Sequence, residues 1–275
     1  MGGRPVSKTG RSHFYGYTYY AREDVAAAYE KDRYGSSLGT YLRELEAGAF
    51  LEMLSPGGMV LDVGTGTGKL FSALLGTGRD VAGMDSSTSM MSLLARRHGP
   101  QASGRLLVAD ALDIPLSDRS FDGVVSSRVL MHLMNWRRGV AELCRVARRE
   151  VILDFPPLSG FTALMPVFHA LRAFWGYGRP YKVISLNSVT RELRRHGFRV
   201  VEVRRLFFLP IALHRAMDSP CVSRRIEGLL AKVGLTRAFG GPVVIKAIRR
   251  DIPSPEIMHN RDRRSPERCP TDRGS

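Results

Sequence analysis

Short apolar runs rich in Val, Leu and Met recur at residues 59–63, 80–84, 105–109, 121–126 and 150–154. Between them, residues 69–76, 87–97 and 137–147 space their apolar positions as one face of a helix does. Apolar runs of this length, bounded by turn residues, read as strands buried on both faces. Alternation of strand and helix at this period predicts a parallel sheet with helices on both sides. Right-handed crossovers then gather the strand C-termini on one edge, which is where such sheets bind ligands. Two further strands are predicted at 198–207 and 243–248, which makes seven. A helix at 188–196 is stopped by Gly197, with Asn187 as its expected N-cap, and another covers 221–233. Upstream, 23–30 and 38–54 read as helices.

The first strand runs into Gly64, Gly66 and Gly68, and the second ends on Asp85. Alternating glycines remove Cβ atoms where a backbone must turn tightly and approach a ligand. A carboxylate at the end of the next strand can hold ribose hydroxyls. Three nucleotide readings compete. A phosphate loop needs a Gly five residues before the Gly-Lys pair and Ser or Thr after it; the chain has Val63 and Leu70 there. A dinucleotide fingerprint needs its third glycine at position 69, which is Lys69. That reading is weakened but stays open. The third candidate is S-adenosyl-L-methionine (SAM), which has no pyrophosphate to cradle.

The run Leu61–Gly68 resembles the first motif of class I SAM-dependent methyltransferases. The resemblance continues in order through Val81–Met90, Ala109–Leu116, Ser120–Ser127 and Val129–Leu133 with Trp136, the last as in the small-molecule branch of the family. It covers about residues 25–155. It implies a Rossmann-like, doubly wound α/β fold whose seven-stranded sheet is mostly parallel with an antiparallel last strand. It implies SAM as cofactor. Asp62, Gly64, Thr65, Gly66 and Gly68 would meet the methionine part, with Thr65 acting mainly through its backbone. Asp85 would bind the ribose, Ser86 and Met90 would lie near the adenine, Asp110 would take the adenine amino group and Ala111 a backbone contact. Ser127 would lie near the methionine amino group.

The resemblance also organises the rest of the chain. Residues 1–22 are expected to be loosely ordered, 23–250 to form the catalytic domain and 251–275 to be a disordered tail. Residues 23–55 would be a helical lid, with Tyr29, Arg33 and Tyr34 as candidates to close over the ligands. Two apolar stretches, 158–178 and 208–220, would cover the acceptor. A methyl acceptor bearing a hydroxyl or phenol needs a base. His132, just after the fourth strand, is the first candidate, against the alternative of a purely structural helix-start residue. His169 and His214 in the two covers are weaker ones. The predicted acceptor is an apolar or amphipathic small molecule: a quinone, a lipid or a specialised metabolite. A nicotinamide-dependent oxidoreductase and a non-catalytic SAM-fold binding protein remain alternatives.

Composition changes this picture little. With 275 residues and 44% hydrophobic positions the chain can bury a full core. Three cysteines without a CxxC pair give no expectation of a metal site or disulfide framework. The start of the chain lacks an apolar signal region and no apolar run approaches membrane-spanning length, so the expectation is cytoplasmic, with peripheral membrane contact allowed. The net charge of +15 is concentrated in 159–250, which hold seventeen basic residues and four acids. That excess would suit an anionic or membrane-associated acceptor. It also fits simple arginine bias, since only six of the 41 basic residues are Lys. With no recognisable DNA- or RNA-binding module, nucleic acid is not an expected partner.

Overall fold

The computed structural model describes residues 36–159 and 182–251. The predicted 1–22 segment, Tyr29, Arg33, Tyr34, His169, most of the 158–178 cover and the tail after 251 lie outside the described residues.

Seven strands form one sheet in the order β3-β2-β1-β4-β5-β7-β6. They are β1 (Met59–Val63), β2 (Asp80–Asp85), β3 (Leu106–Val108), β4 (Phe121–Ser126), β5 (Ala147–Phe155), β6 (Phe198–Phe207) and β7 (Gly241–Arg249). The pairings β1–β2, β1–β4, β2–β3 and β4–β5 are parallel. β7 runs antiparallel to both β5 and β6, as the resemblance implied. The strand order reverses between β1 and β4, so a crevice opens there at the C-terminal edge.

The helices are α1 (Ser37–Met53), α2 (Lys69–Leu75), α3 (Thr88–His98), α4 (Trp136–Val146), α5 (Leu186–Arg195), α6 (Ile211–Met217), α7 (Pro220–Lys232) and α8 (Leu235–Phe239). The sheet separates two apolar layers, and alternate residues of each strand feed opposite ones. Leu61, Val63, Val124, Val151, Leu153, Val243 and Ile245 join Val140, Leu143, Val189 and Leu193 of α4 and α5. Val60, Val125, Ile152 and Val244 join Phe50 and Met53 of α1, Phe71 and Leu74 of α2, and Leu94 of α3. Period-2 patterning in the strands and period-3.6 patterning in the helices thus meet in two continuous cores.

One local expectation is corrected. The N-cap of α5 is Ser185, whose hydroxyl accepts from the Ser188 N–H, because the helix starts before Asn187. Residues 208–220 form α6 and the start of α7, and these pack on α1. The cysteines also differ in kind: Cys144 is buried and free, whereas Cys221 is disulfide-bonded. Burial pushes the Cys144 thiol up to about 12, so it is inert at neutral pH.

The opposite, N-terminal edge of the sheet holds a buried ionic lock. Glu150, 3% exposed, accepts from the Ser55 N–H at 2.9 Å and the Ser55 hydroxyl at 2.8 Å. Lys246 lies 2.9 Å from the same carboxylate and donates to the Met53 carbonyl at 2.6 Å. The lock ties the α1–β1 turn to β5 and β7. Replacing Lys246 by Met should destabilise the protein by about 3–5 kcal/mol, because a buried carboxylate loses its counter-charge. The double variant Glu150→Gln, Lys246→Met should recover most of that loss. Urea unfolding measures both; an unchanged midpoint in Lys246→Met would show that the lock contributes nothing.

Candidate functional site

The turn from β1 into α2 is fastened to the end of β2. The N–H groups of Gly64 and Thr65 both donate to the Met84 carbonyl, at 2.7 and 3.0 Å. The Gly66 N–H donates to Asp85 Oδ2 at 2.9 Å. Gly64 has φ 74°, and a Cβ there would sit 2.1 Å from Val129 Cγ2. Gly66 has φ 56°, and a Cβ there would point into open space. The first glycine is therefore required by packing and the second leaves room beside the backbone.

That room belongs to a cleft at the C-terminal edge, with about 1070 Å³ of non-atom space, part of it open to solvent. Asp62, Gly64, Thr65, Gly66, Asp85, Ser86, Met90, Asp110, Ala111, Ser127 and His132 all line it. Four adjacent strand ends deliver them: Asp62 from β1, Asp85 from β2, Asp110 from the turn after β3, and Ser127 from the turn after β4. Gly68 is the exception. It is not a lining residue; it caps α2 with φ 86°, and a Cβ there would meet Leu94 Cδ1 at 2.1 Å. Its glycine serves the approach of α3 to the loop. His214 is also absent from the cleft: it is fully buried 3.2 Å from Glu227, under the edge of the Phe207 ring. None of residues 208–220 lines the cleft.

Polar groups in the cleft are only partly satisfied. Asp62 is 1% exposed; its Oδ2 accepts from the Thr65 hydroxyl at 2.8 Å while Oδ1 has no partner. Burial, outweighing that hydrogen bond, pushes the Asp62 carboxyl up to about 7. The Ser127 hydroxyl is likewise buried and unpartnered. Asp85 accepts from Gly66 and from the Ser87 N–H at 2.9 Å; burial raises its carboxyl despite these bonds. Asp110 Oδ1 accepts from the Leu112 N–H at 2.9 Å, which fixes the carboxylate and leaves its second oxygen for another donor. His132 sits in a short 3-10 turn, Leu130–His132, with its N–H bonded to the Val129 carbonyl at 2.8 Å. Orphaned buried oxygens beside a glycine cradle fit a ligand carrying an ammonium, a ribose and a base.

Sequence reasoning missed several residues of this cleft. Thr65 contributes through its side chain as well as its backbone. Lys69 and Arg128 are lining residues, and both are ion-paired to Glu46 of α1, which is 3% exposed. Arg128 has φ 61°, and its N–H is held by the Asp154 carboxylate. No motif marks Glu46; only the folded contact between α1 and the glycine loop reveals it.

Comparison with known proteins agrees with this geometry. A family model described as "Methyltransferase domain" matches residues 61–153. A demethylmenaquinone methyltransferase of Clavibacter sepedonicus is 30% identical over 71% of this chain and 87% of its own length. The chain belongs to the class I SAM-dependent methyltransferases. An O-methyltransferase of Penicillium expansum is 31% identical over 54% of this methyltransferase, which spans only 56% of that relative's length. Among solved structures, magnesium protoporphyrin IX methyltransferase from Synechocystis PCC 6803 with bound SAH, at 16% identity, superposes with a TM-score of 0.58 over 86% of this chain and 98% of that one. That last likeness shows the shared fold. The oxidoreductase and non-catalytic alternatives are not favoured. Among the described residues no helix is long and apolar enough to cross a membrane.

The carboxyls of Asp62 and Asp154 are raised to about 7 and about 6, so each favours the folded state only while protonated. Their contribution is full below about pH 4 and is lost as pH rises through those values. The ligand-free protein should therefore lose melting temperature between pH 5 and 8 on their account. Asp62→Asn should make that slope shallower, measured by thermal scans across this range; an identical slope would show that Asp62 titrates normally.

Proposed function

We propose that this methyltransferase moves the methyl group of SAM to an apolar or amphipathic small molecule, such as a quinone, a lipid or a specialised metabolite. The observation that carries the donor assignment is the convergence of Asp62, Asp85, Asp110 and Ser127 on one cleft, with buried oxygens of Asp62 and Ser127 left unpartnered. The acceptor class is supported by the curated relatives, whose names include a demethylmenaquinone methyltransferase and an O-methyltransferase. Apolar Val129 and Leu133 beside His132 add to that support.

When bound, SAM supplies an electrophilic methyl on a sulfonium; everything else falls to the chain. Asp85, already fixed by two backbone donors, has lone pairs left for the ribose hydroxyls. Asp110 and the Ala111 backbone would take the adenine edge, with Ser86 and Met90 beside the base. The Gly64–Gly66 backbone and Thr65 would lie along the methionine part, with Asp62 Oδ1 and the Ser127 hydroxyl as acceptors for its ammonium. An ammonium there would draw the Asp62 proton off. His132 would accept the proton of an acceptor hydroxyl. Holding the two reactants in line supplies much of the rate.

Calorimetric titration with SAM tests the donor assignment: binding is expected in the micromolar range or tighter, and no binding at high micromolar concentration would sink it. Asp85→Ala should weaken binding by about tenfold or more, as expected for lost hydrogen bonds to a charged group; unchanged affinity would remove the ribose role. With methyl-labelled SAM and a panel of quinols and phenols, His132→Ala should lower kcat by about a hundredfold while leaving donor affinity intact. Full activity in that variant would return His132 to a structural role.

A further inference from the structure

The excursion between β6 and β7 buries one helix face and leaves an apolar one bare. Glu227 of α7 fixes which is which. Its carboxylate accepts from the Phe208 and Leu209 N–H groups, both at 2.8 Å, and lies 3.2 Å from the buried His214 ring. Ser223, one turn earlier, is fully buried. With the Ser223–Glu227 side turned inward, the stripe on the far side of the helix must face outward. That stripe carries Val222, Leu229 and, at the C-cap, Val233. Leu229 and Val233 are each 63% exposed. Leu213 of α6 and Phe239 of α8 are exposed as well, on helices that both pack against α7.

The charges around the stripe are almost all of one sign. Arg225 and Lys232 each follow a stripe residue by three positions, so they flank it on one side. Arg215 of α6 and Arg237 of α8 are exposed too. None of these four is paired with an acid among the described residues. Residues 211–239 hold five basic residues and two acids, and one of those acids is the inward-facing Glu227. Such a surface fits a partner that offers hydrocarbon and negative charge together, as an anionic bilayer does. Aliphatic side chains spread over three helices suit a fluid apolar layer, whereas a protein interface concentrates its affinity in a few large anchors set in pockets.

We infer that α6, α7 and α8 form a peripheral docking surface for an anionic lipid bilayer. Val222, Leu229 and Val233 enter the headgroup layer, and Arg225 and Lys232 meet its phosphates. The excursion hangs from the C-terminal edge of the sheet, on which the donor cleft also opens, so docking turns that edge toward the bilayer. The surface stands on these helices alone and holds whatever the acceptor is.

Co-sedimentation of the full chain with vesicles tests it, using phosphatidylcholine alone or in equal parts with phosphatidylglycerol. Anionic vesicles should bind at least about tenfold tighter than neutral ones, and added salt should narrow the gap. Arg225→Gln with Lys232→Gln should weaken anionic binding by about ten- to thirtyfold, the effect of two charges near such a surface. Leu229→Ser with Val233→Ser should weaken it by about tenfold or more through lost apolar insertion. All four side chains are exposed, so the melting temperature should stay unchanged. Arg194 and Arg199, exposed at the opposite edge, supply the control. Arg194→Gln with Arg199→Gln removes the same charge and should alter binding less than about twofold. Equal losses in the two charge pairs would mean that net charge alone drives binding, and no vesicle binding by the full chain would remove the surface; either result overturns the inference. So would a dimer, seen by light scattering, that Leu229→Ser with Val233→Ser dissolves while vesicle binding is untouched, because the stripe would then belong to a second copy of the chain.

Discussion

Everything at the cleft depends on how the β1–α2 turn is pinned to the end of β2. Three N–H groups in a row, from Gly64, Thr65 and Gly66, find acceptors at Met84 and Asp85. A turn this tight would otherwise leave buried donors unpaired at the sheet edge. The same bonds occupy part of the Asp85 carboxylate and orient the rest of it. The glycine loop and the acid after the second strand are therefore one mechanical unit rather than two motifs. Asp62 owes its state to the same turn, because the Thr65 hydroxyl that supports it is positioned by the backbone bond to Met84.

The folded protein holds its charges by two strategies. At the N-terminal edge, Glu150 is fully engaged by Ser55 and Lys246, and the group is purely structural. At the C-terminal edge, Asp62 and Ser127 keep buried oxygens unpaired. Leaving such groups unsatisfied costs free energy, and natural proteins concentrate that cost where a ligand repays it. A satisfied structural acid at Glu150 thus stands in the same sheet as an incompletely satisfied cleft acid at Asp62.

Much of this was legible in the sequence. The strands at 59–63, 121–126 and 198–207 coincide with β1, β4 and β6 because apolar runs bounded by turns leave little freedom. Asp62, Asp85, Asp110 and Ser127 were readable because a parallel sheet places every strand C-terminus on one edge. Gly68 stands apart, since a glycine needed for packing against Leu94 is written with the same letter as one that faces the cleft. The α5 cap was displaced by two residues, since Ser185, Asn187 and Ser188 are all cap-forming types and only the folded start of the helix chooses among them. Glu46 could not be read at all. Its partners are 23 and 82 residues away, and an acid on a helix face has no local pattern that separates solvent from a buried cation pair.

The reversed direction of β7 has a consequence of its own. Because β6 ends and β7 begins on the C-terminal edge, the chain from Phe208 to Gly240 must leave and return on that side. Its two ends are held side by side, because Phe207 and Gly241 pair with each other across β6 and β7. The excursion is therefore a closed loop hung from one strand pair and drawn shut by Glu227, which accepts from the Phe208 and Leu209 N–H groups.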